Sequence, residues 1–183
     1  EAPVYFSITG AKTNDIIEAQ QIELKPDQTL VFDRAYYDFA WWRQITEVGS
    51  TFVTRPKSTL AYKVIKKNII KDAPIISDNT IKLTSKKAYK YKGLLRLVKA
   101  KVKIRGINKN ISVLTNNFNY SATKIIALYK KRWDIELFFK WIKQNLKLKK
   151  FLGRSPNAVK IQIATALIAY VLTYLFKIDS KNK

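Results

Sequence analysis

The sequence contains no cysteine, no histidine and no methionine, and each absence excludes something. Without cysteine, neither disulfides nor thiolate zinc sites can form, and without histidine no imidazole can act as a general base or a metal ligand. Any bound metal must therefore be a hard cation held by oxygen ligands. Because not even position 1 is methionine, we expect the 183 residues to be a piece of a longer product.

Long apolar runs are also scarce. The longest uncharged stretch covers residues 161–176, which is shorter than the ~20 residues that a helix needs to cross a bilayer. We therefore expect a buried core helix and no membrane partner. The alternative is a membrane-surface protein that uses this helix as an anchor and its lysines on anionic lipid.

Positive charge is abundant and unevenly distributed. The chain has 35 Lys and Arg against 13 Asp and Glu, a net charge of +22. Residues 1–54 are acidic, with 4 basic and 8 acidic side chains, whereas residues 55–120 have 17 against 2 and residues 121–183 have 14 against 3. Such a basic majority, interleaved with aromatic residues, favours binding to a nucleic-acid backbone. The alternative is that many lysines only keep the protein soluble.

The first third of the chain predicts alternating strands and helices. Strands are expected at 4–9, 29–32 and 51–54, with a helix capped by Asn14 or Thr13 after the first. Asp33 directly follows the second strand, the end at which functional side chains of an open α/β sheet gather. A second helix is expected from Asp33 to about Glu47, closed by Gly49.

Residues 57–116 alternate apolar and basic side chains, which predicts antiparallel strands with one solvated, positive face. Such strands could lie along a DNA duplex. The alternative is that the lysines protect a sheet edge from aggregation. Ser121 then predicts the start of a helical region, and Ser155 followed by Pro156 predicts the start of the last helix.

The stretch 129–143, YKKRWDIELFFKWIK, concentrates the candidate functional residues. If it forms one continuous helix, Tyr129, Arg132, Glu136 and Lys143 project within an arc of roughly 60°, with Lys140 beside them. A bend near Arg132 would change this geometry. A polar helix face with an Arg132–Glu136 ion pair would explain the same pattern without any function.

The spacing Y-x(2)-R-x(3)-E-x(6)-K over residues 129–143 resembles the Y-R-E-K signature of insertion-sequence-4-like bacterial transposases. The segment FDRAYYD around Asp33 is similar to that family's segment around its second catalytic aspartate, and it comes in the right chain order. The resemblance implies a D-D-E catalytic domain with an α/β, ribonuclease H-like fold, here partial and lacking the first strands. By this resemblance, residues 1–56 and 117–183 belong to the core, and 57–116 form a β-rich insertion before the glutamate-bearing helix.

The same resemblance implies roles for single residues. Asp33 and Glu136 would be catalytic residues that hold Mg2+ or Mn2+ in a two-metal site of the full-length protein. The residues expected to contact DNA are Arg34, Tyr129, Arg132, Lys140 and Lys143. The four tryptophans are expected mainly to pack in the core, with stacking on an extruded base as the alternative; they are Trp41, Trp42, Trp133 and Trp141.

The sequence also departs from the family pattern. Ala35 stands where the family commonly has glycine, which would cost roughly 1 kcal/mol if the turn needed a positive φ. The family's first catalytic aspartate would precede residue 4. The resemblance therefore implies a transposase fragment that binds DNA but does not cut it alone, acting in the cytoplasm, near the nucleoid, on terminal inverted repeats and target DNA, as a homodimer when complete. The alternative is a catalytically dead DNA-binding remnant of a decayed element.

Overall fold

The computed structural model describes residues 7–10, 14–70, 73–104, 106–145, 152–153 and 155–180. The chain has a mixed α/β architecture and divides into two compact units. The sheet unit comprises residues 13–132, and the helical unit comprises residues 133–183 together with 1–12. The strand predicted at 4–9 lies mostly outside the described residues, as do residues 151 and 154 in the segment before the last helix.

Six strands form one sheet in the sheet unit. They are β1 (Thr29–Val31), β2 (Thr51–Thr54), β3 (Tyr62–Lys67), β4 (Ile75–Leu83), β5 (Leu95–Ile104) and β6 (Ile107–Thr115). Their spatial order is β1-β2-β6-β5-β4-β3, with β1 and β2 parallel and all other neighbours antiparallel. The basic strands predicted within 57–116 are confirmed, and the pairing of β2 with β6 joins them to the acidic first third of the chain.

Five α-helices accompany the sheet in the described residues. They are α1 (Asp15–Ala19), α2 (Phe39–Glu47), α3 (Ala122–Lys131), α4 (Trp133–Asn145) and α5 (Pro156–Asp179). The predicted caps are confirmed, because the side chains of Asn14, Ser121 and Ser155 each accept a hydrogen bond from a backbone N–H of the first helical turn. Gly49, with φ of 84°, follows the end of α2 as predicted.

The two faces of the sheet are buried by different helices. On one face, Trp42 and Ile45 of α2 pack with Phe52 and neighbouring strand residues, and Trp41 belongs to the same cluster. On the other face, Ile125 of α3 packs with strand residues of β2, β5 and β6. Trp41 and Trp42 are therefore core residues, as mainly expected, and Trp141 of the helical unit packs edge-on against Tyr170 at 5.0 Å.

The helix predicted to begin at Asp33 begins instead at Phe39. Asp33 caps a short 3-10 helix, Arg34–Tyr36, by accepting a hydrogen bond from the Ala35 N–H at 2.7 Å. Asp38 then caps α2, accepting from the Trp41 N–H at 2.8 Å. Two caps five residues apart divide the segment, since each draws the backbone out of helical geometry. Ala35 lies inside the 3-10 helix without a positive φ, so its methyl group causes no backbone strain there.

The single straight helix considered for residues 129–143 is also wrong. α3 ends at Lys131, Arg132 is its C-cap, and α4 starts at Trp133. The interruption falls where a bend was predicted. Tyr129 and Glu136 therefore belong to different helices, and the arc calculated for one continuous helix does not describe them.

The apolar terminal helix is more exposed than predicted. α5 has the length and composition of a membrane-spanning helix. Only 11% of its most apolar 18-residue stretch is buried among the described residues. Ala166 and Leu167 pack against Ile142 of α4, whereas Ile168, Leu172 and Phe176 are exposed. Length and composition alone are weak evidence for a membrane, because core helices of soluble proteins also meet these criteria.

Candidate functional site

Asp33 lies just beyond the end of β1, where the sequence predicted a functional carboxylate. The preceding Phe32 still bonds to the sheet through its N–H and the Val53 carbonyl, at 3.1 Å. Thr54 donates its hydroxyl to the Asp33 carbonyl at 3.3 Å. β1 and its parallel neighbour β2 therefore hold the backbone of Asp33 in place, while its carboxylate is half-buried at the sheet edge.

The two carboxylate oxygens of Asp33 have different surroundings. Oδ1 accepts the Ala35 N–H, which fixes the direction of the side chain. Within the described part of the chain, no hydrogen bond or ion pair reaches Oδ2. Arg34 is exposed beside it. Asp33 can thus offer one oriented oxygen to a ligand, as a metal-binding carboxylate must.

The raised pKa of Tyr36 indicates that a second carboxylate lies near Asp33. Burial raises the pKa of the Tyr36 hydroxyl, and the negative charges of Asp15 and Asp33 raise it further. Asp15 and Asp33 therefore both lie close to Tyr36, although they are 18 positions apart in the sequence. The sequence did not single out Asp15, since nothing in the linear pattern places the start of α1 next to the end of β1.

Tyr129 and Arg132 lie at the C-terminal end of α3, which packs on the opposite face of the sheet from α2. Tyr129 is only 4% exposed and packs in the core that includes Val53 and Val31, the residue two positions before Asp33. The Arg132 guanidinium lies 5.6 Å from the centre of the Tyr129 ring, within cation–π range. The burial of Tyr129 favours a role in holding Arg132 over direct stacking on DNA.

Glu136, Lys140 and Lys143 lie together on α4 in the helical unit. All three are exposed, and they line a shallow cavity of about 410 Å3 with Phe139 and Gln144. The i, i+4 and i+7 spacing places the Glu136 carboxylate one turn before Lys140 and two turns before Lys143 on one helix face. Glu136 therefore lies in the helical unit with Lys140 and Lys143. Asp33, Arg34 and Arg132 belong to the sheet unit.

The carboxylate oxygens of Asp33 and Glu136 suit a hard cation, but the described residues form no complete metal site within either unit. In neither unit do the described residues include three carboxylates close enough to hold a metal ion. Asp33, with its open oxygen, and the solvent-exposed Glu136 are each fit to be one ligand of Mg2+ or Mn2+. Oxygen is also the only hard ligand that this composition offers.

A row of lysines lies on one face of β5. Lys99, Lys101 and Lys103 are exposed, whereas the intervening Val98, Ala100 and Val102 are buried under α3. Their partners across β6 are all polar: Ser112, Asn110 and Asn108. β4 is paired with β5 up to Ala100, so protection of a sheet edge does not explain Lys99, whereas Lys103 lies beyond the last β4 pair, where that explanation still applies. The edge strand β3 carries its own exposed Lys63, Lys66 and Lys67.

Comparison with known proteins matches most of the chain to one family. Residues 2–172 match the family described as "Transposase DDE domain". A Sinorhizobium fredii protein with the provisional name transposase y4zB is 41% identical over 177 residues, which cover 94% of this chain and 49% of that protein. A Geobacillus stearothermophilus protein, provisionally named as the transposase of insertion sequence element IS5377, is 34% identical over 149 residues, covering 79% of this chain and 38% of the relative.

A shorter match involves a Synechocystis protein provisionally named as the transposase of insertion sequence element IS4SA. It is 44% identical over 61 residues, which cover 33% of this chain and 18% of that protein. The chain thus spans about half the length of the first of these relatives and less of the others.

Proposed function

This chain belongs to the transposase DDE domain family, and from that premise we propose that it supplies part of the DNA-binding and catalytic machinery of a bacterial insertion-sequence transposase. Residues 1–56, with β1 and β2, and residues 117–183 would form part of a ribonuclease H-like core, with 57–116 as a β-rich insertion whose strands β3 to β6 extend the same sheet. The full-length protein would act in the cytoplasm on double-stranded DNA, at terminal inverted repeats and at the target, as a homodimer on paired ends.

The observation that supports DNA binding is the row of exposed Lys99, Lys101 and Lys103 along one face of β5. Alternate residues of a strand are about 6.8 Å apart, which equals about two base-pair rises along one DNA strand. A strand lying along a duplex can therefore place successive lysines near phosphates. The partners of these lysines on β6 are uncharged, so none of these three pairs places a carboxylate that would repel the backbone.

The catalytic part of the proposal assigns Asp33 and Glu136 as metal ligands. Bound Mg2+ or Mn2+ ions would activate water and stabilise the leaving oxygen of a phosphodiester. The Ala35 N–H orients the Asp33 carboxylate, and Lys140 and Lys143, one and two turns further along α4, raise the positive potential around Glu136. Arg34, Arg132, Lys140 and Lys143 would hold phosphates, while Tyr129 supports Arg132.

DNA binding is tested by the salt dependence of affinity for a fluorescent duplex. We expect the triple variant of Lys99, Lys101 and Lys103 to Gln to lower the slope of log K against log salt by up to about 2.7, because each lost phosphate contact contributes about 0.9. The triple variant of Lys63, Lys66 and Lys67 to Gln on the edge strand has the same change in charge and is the control. Equal slopes for the two variants would show that the β5 face has no special role.

The metal assignment is tested separately by thermal unfolding with and without Mn2+. We expect Asp33→Asn and Glu136→Gln each to reduce the rise in Tm that the ion causes, by mass action on the folded state. Asp27→Asn and Asp134→Asn are matched controls. An unchanged rise in both site variants would favour the alternative, a DNA-binding remnant without metal chemistry.

Alone, the 183 residues are expected to bind DNA without cutting it, because only two of the three family carboxylates are assigned within them. Nicking of a supercoiled plasmid in the presence of Mg2+ measures this directly. Cleavage that persists unchanged in Glu136→Gln would show that the assignment of Glu136 is wrong.

A further inference from the structure

α5 has two apolar faces, and the described residues cover only one of them. Ala166 and Leu167 form a buried cluster with Ile142 of α4, and Tyr170 meets Trp141 of α4 edge-on at 5.0 Å. The other face carries four large apolar side chains that are each more than half exposed: Ile161, Ile168, Leu172 and Leu175. A continuous apolar surface of this kind marks a site of interaction, because isolated proteins rarely leave one open to water.

The exposed face has the spacing of a coiled-coil seam. Its residues, which we call the α5 stripe, follow one another at intervals of four, three, four, three and four positions, and all are exposed: Ile161, Thr165, Ile168, Leu172, Leu175 and Asp179. This is the heptad pattern in which a and d positions line one side of a helix. In the same heptads, the residues that pack on α4 take the b, c and f positions on the opposite side, so the contact with α4 and the α5 stripe do not compete.

The α5 stripe is symmetric about residue 170, so it can match a copy of itself. When two copies of α5 lie antiparallel and cross at residue 170, Ile168 of one copy lies level with Leu172 of the other, twice over. Thr165 then lies level with Leu175, and Asp179 lies at the end of the stripe, where its carboxylate can stay in water. A surface that matches itself under a two-fold rotation is what the interface of a symmetric dimer requires.

We propose that a second copy of this chain covers the α5 stripe, and that the two copies pair antiparallel through it. The inference deepens the proposed function, because it assigns a surface to the homodimer. The stripe extends over about 27 Å of helix, and pairing removes its apolar side chains from water. No charged residue lies between Lys160 and Lys177, so pairing buries no charge there. A lipid surface fits less well, because helices that lie on membranes carry a strongly charged face, which α5 lacks.

Sedimentation equilibrium without DNA tests the pairing. We expect the wild type to form dimers, and Ile168→Lys combined with Leu172→Lys to raise the dissociation constant by at least about a hundredfold, because both copies lose two covered apolar side chains. Both residues are exposed in the single chain, so the double variant should keep the helix content of the wild type by circular dichroism. The matched control is Ile135→Lys combined with Leu137→Lys, which adds the same charges at exposed positions of α4.

The orientation is tested by disulfide cross-linking, since the chain has no cysteine of its own. In the antiparallel pair, Thr165 of one copy lies level with Leu175 of the other, whereas two Thr165 residues, or two Leu175 residues, are about 15 Å apart along the axis. A mixture of Thr165→Cys and Leu175→Cys copies should therefore form a cross-linked dimer on mild oxidation, and neither variant alone should. Cross-linking of each variant with itself would show a parallel pair and overturn the antiparallel arrangement.

The outcomes separate this inference from the proposed function. If the wild type stays monomeric well above micromolar concentration, or if the stripe variant and its α4 control dimerise equally, the second copy is not the occupant and the inference is wrong. If a monomeric wild type binds vesicles of phosphatidylcholine and phosphatidylserine, and the stripe variant does not, the occupant is lipid and the inference is overturned. A dimer that does not bind DNA would refute the proposed function but leave the pairing, whereas a monomer that binds DNA would do the reverse.

Discussion

The replacement of Asp78 by Asn tests the packing of the sheet most directly. Asp78 of β4 and Arg96 of β5 form a buried, bidentate ion pair, with Arg96 Nε donating to Oδ1 at 2.9 Å and Nη2 donating to Oδ2 at 2.5 Å. Asn68 also donates to Oδ1 at 2.9 Å, and Arg96 Nη1 donates to the Tyr120 carbonyl at 2.6 Å. The pair therefore ties β4 and β5 to the segments that precede β4 and α3.

The expected loss is large because the remaining charge is trapped. The side chains of Arg96 and Asp78 are only 10% and 4% exposed, so Asp78→Asn leaves a guanidinium buried without its counterion. Removing one partner of a buried pair costs about 3–5 kcal/mol. At about 2–4 °C per kcal/mol for a chain of this size, Tm should fall by roughly 6–20 °C.

Thermal unfolding followed by circular dichroism measures this loss. The control is Glu47→Gln, the same carboxylate-to-amide change in the exposed Arg43–Glu47 pair, which should cost less than about 0.5 kcal/mol. A double variant, Asp78→Asn with Arg96→Met, should recover part of the loss because no charge remains buried. If Asp78→Asn lowers Tm no more than Glu47→Gln does, the pair does not stabilise the fold as argued here.

The same pair predicts a pH dependence. Burial alone would raise the pKa of Asp78, but hydrogen bonds from Arg96 and Asn68 and the Arg96 charge outweigh it and hold the pKa below the ordinary 3.8. A carboxylate with a lowered pKa in the folded state contributes stability that is complete above its unfolded pKa and is lost as the pH falls through the folded pKa. The Tm difference between wild type and Asp78→Asn should therefore be constant near neutral pH and shrink below about pH 3.8.

Three further replacements test other elements. Asp38→Ala removes the side-chain cap of α2 and should lower the free energy of unfolding by about 0.5–2 kcal/mol in urea denaturation. Trp42→Ala creates a cavity at a fully buried position and should cost about 3–5 kcal/mol, against less than about 0.5 kcal/mol for Phe118→Ala at an exposed one. Replacing Lys63 and Lys66 of the edge strand by Val should increase aggregation, seen by light scattering, since unpaired edge groups then lie beside apolar side chains.

Local sequence signals predicted the strands of the sheet unit and the starts of two helices well. The alternation in 57–116 located β3 to β6, and Ser121 and Ser155 located two helix starts, because these features act over a few neighbouring residues. The predicted start of α2 was wrong. Asp33 and Asp38 are both good caps, and only packing decides which of them starts the longer helix. The prediction that α5 is buried was wrong, because composition does not show which residues cover an apolar face.

The sequence singled out candidate site residues only where they follow chain order. Asp33 was chosen because it ends a strand, and Glu136 because it matches a spaced signature; both assignments stay predictions. Asp15 was not singled out, because tertiary structure alone brings it and Asp33 close to Tyr36. The burial of Tyr129 was missed for the same reason, since only the packing of α3 on the sheet shows it.

The partners of several acidic side chains in the sheet unit are consistent with the proposal that Asp33 is a metal ligand. Asp78 is neutralised by Arg96, Asp38 caps a helix, and Glu47 pairs with Arg43 on the surface. Asp78 and Glu47 would have to give up an ion-pair partner for a metal ion, whereas Asp38, like Asp33, uses only Oδ1 as a cap but does not follow a strand. Asp33 has one oxygen fixed by a backbone N–H and, among the described residues, a second oxygen without a partner. A fixed direction with an open oxygen is what a ligand of a hard cation requires, and the fold provides it at the end of a strand.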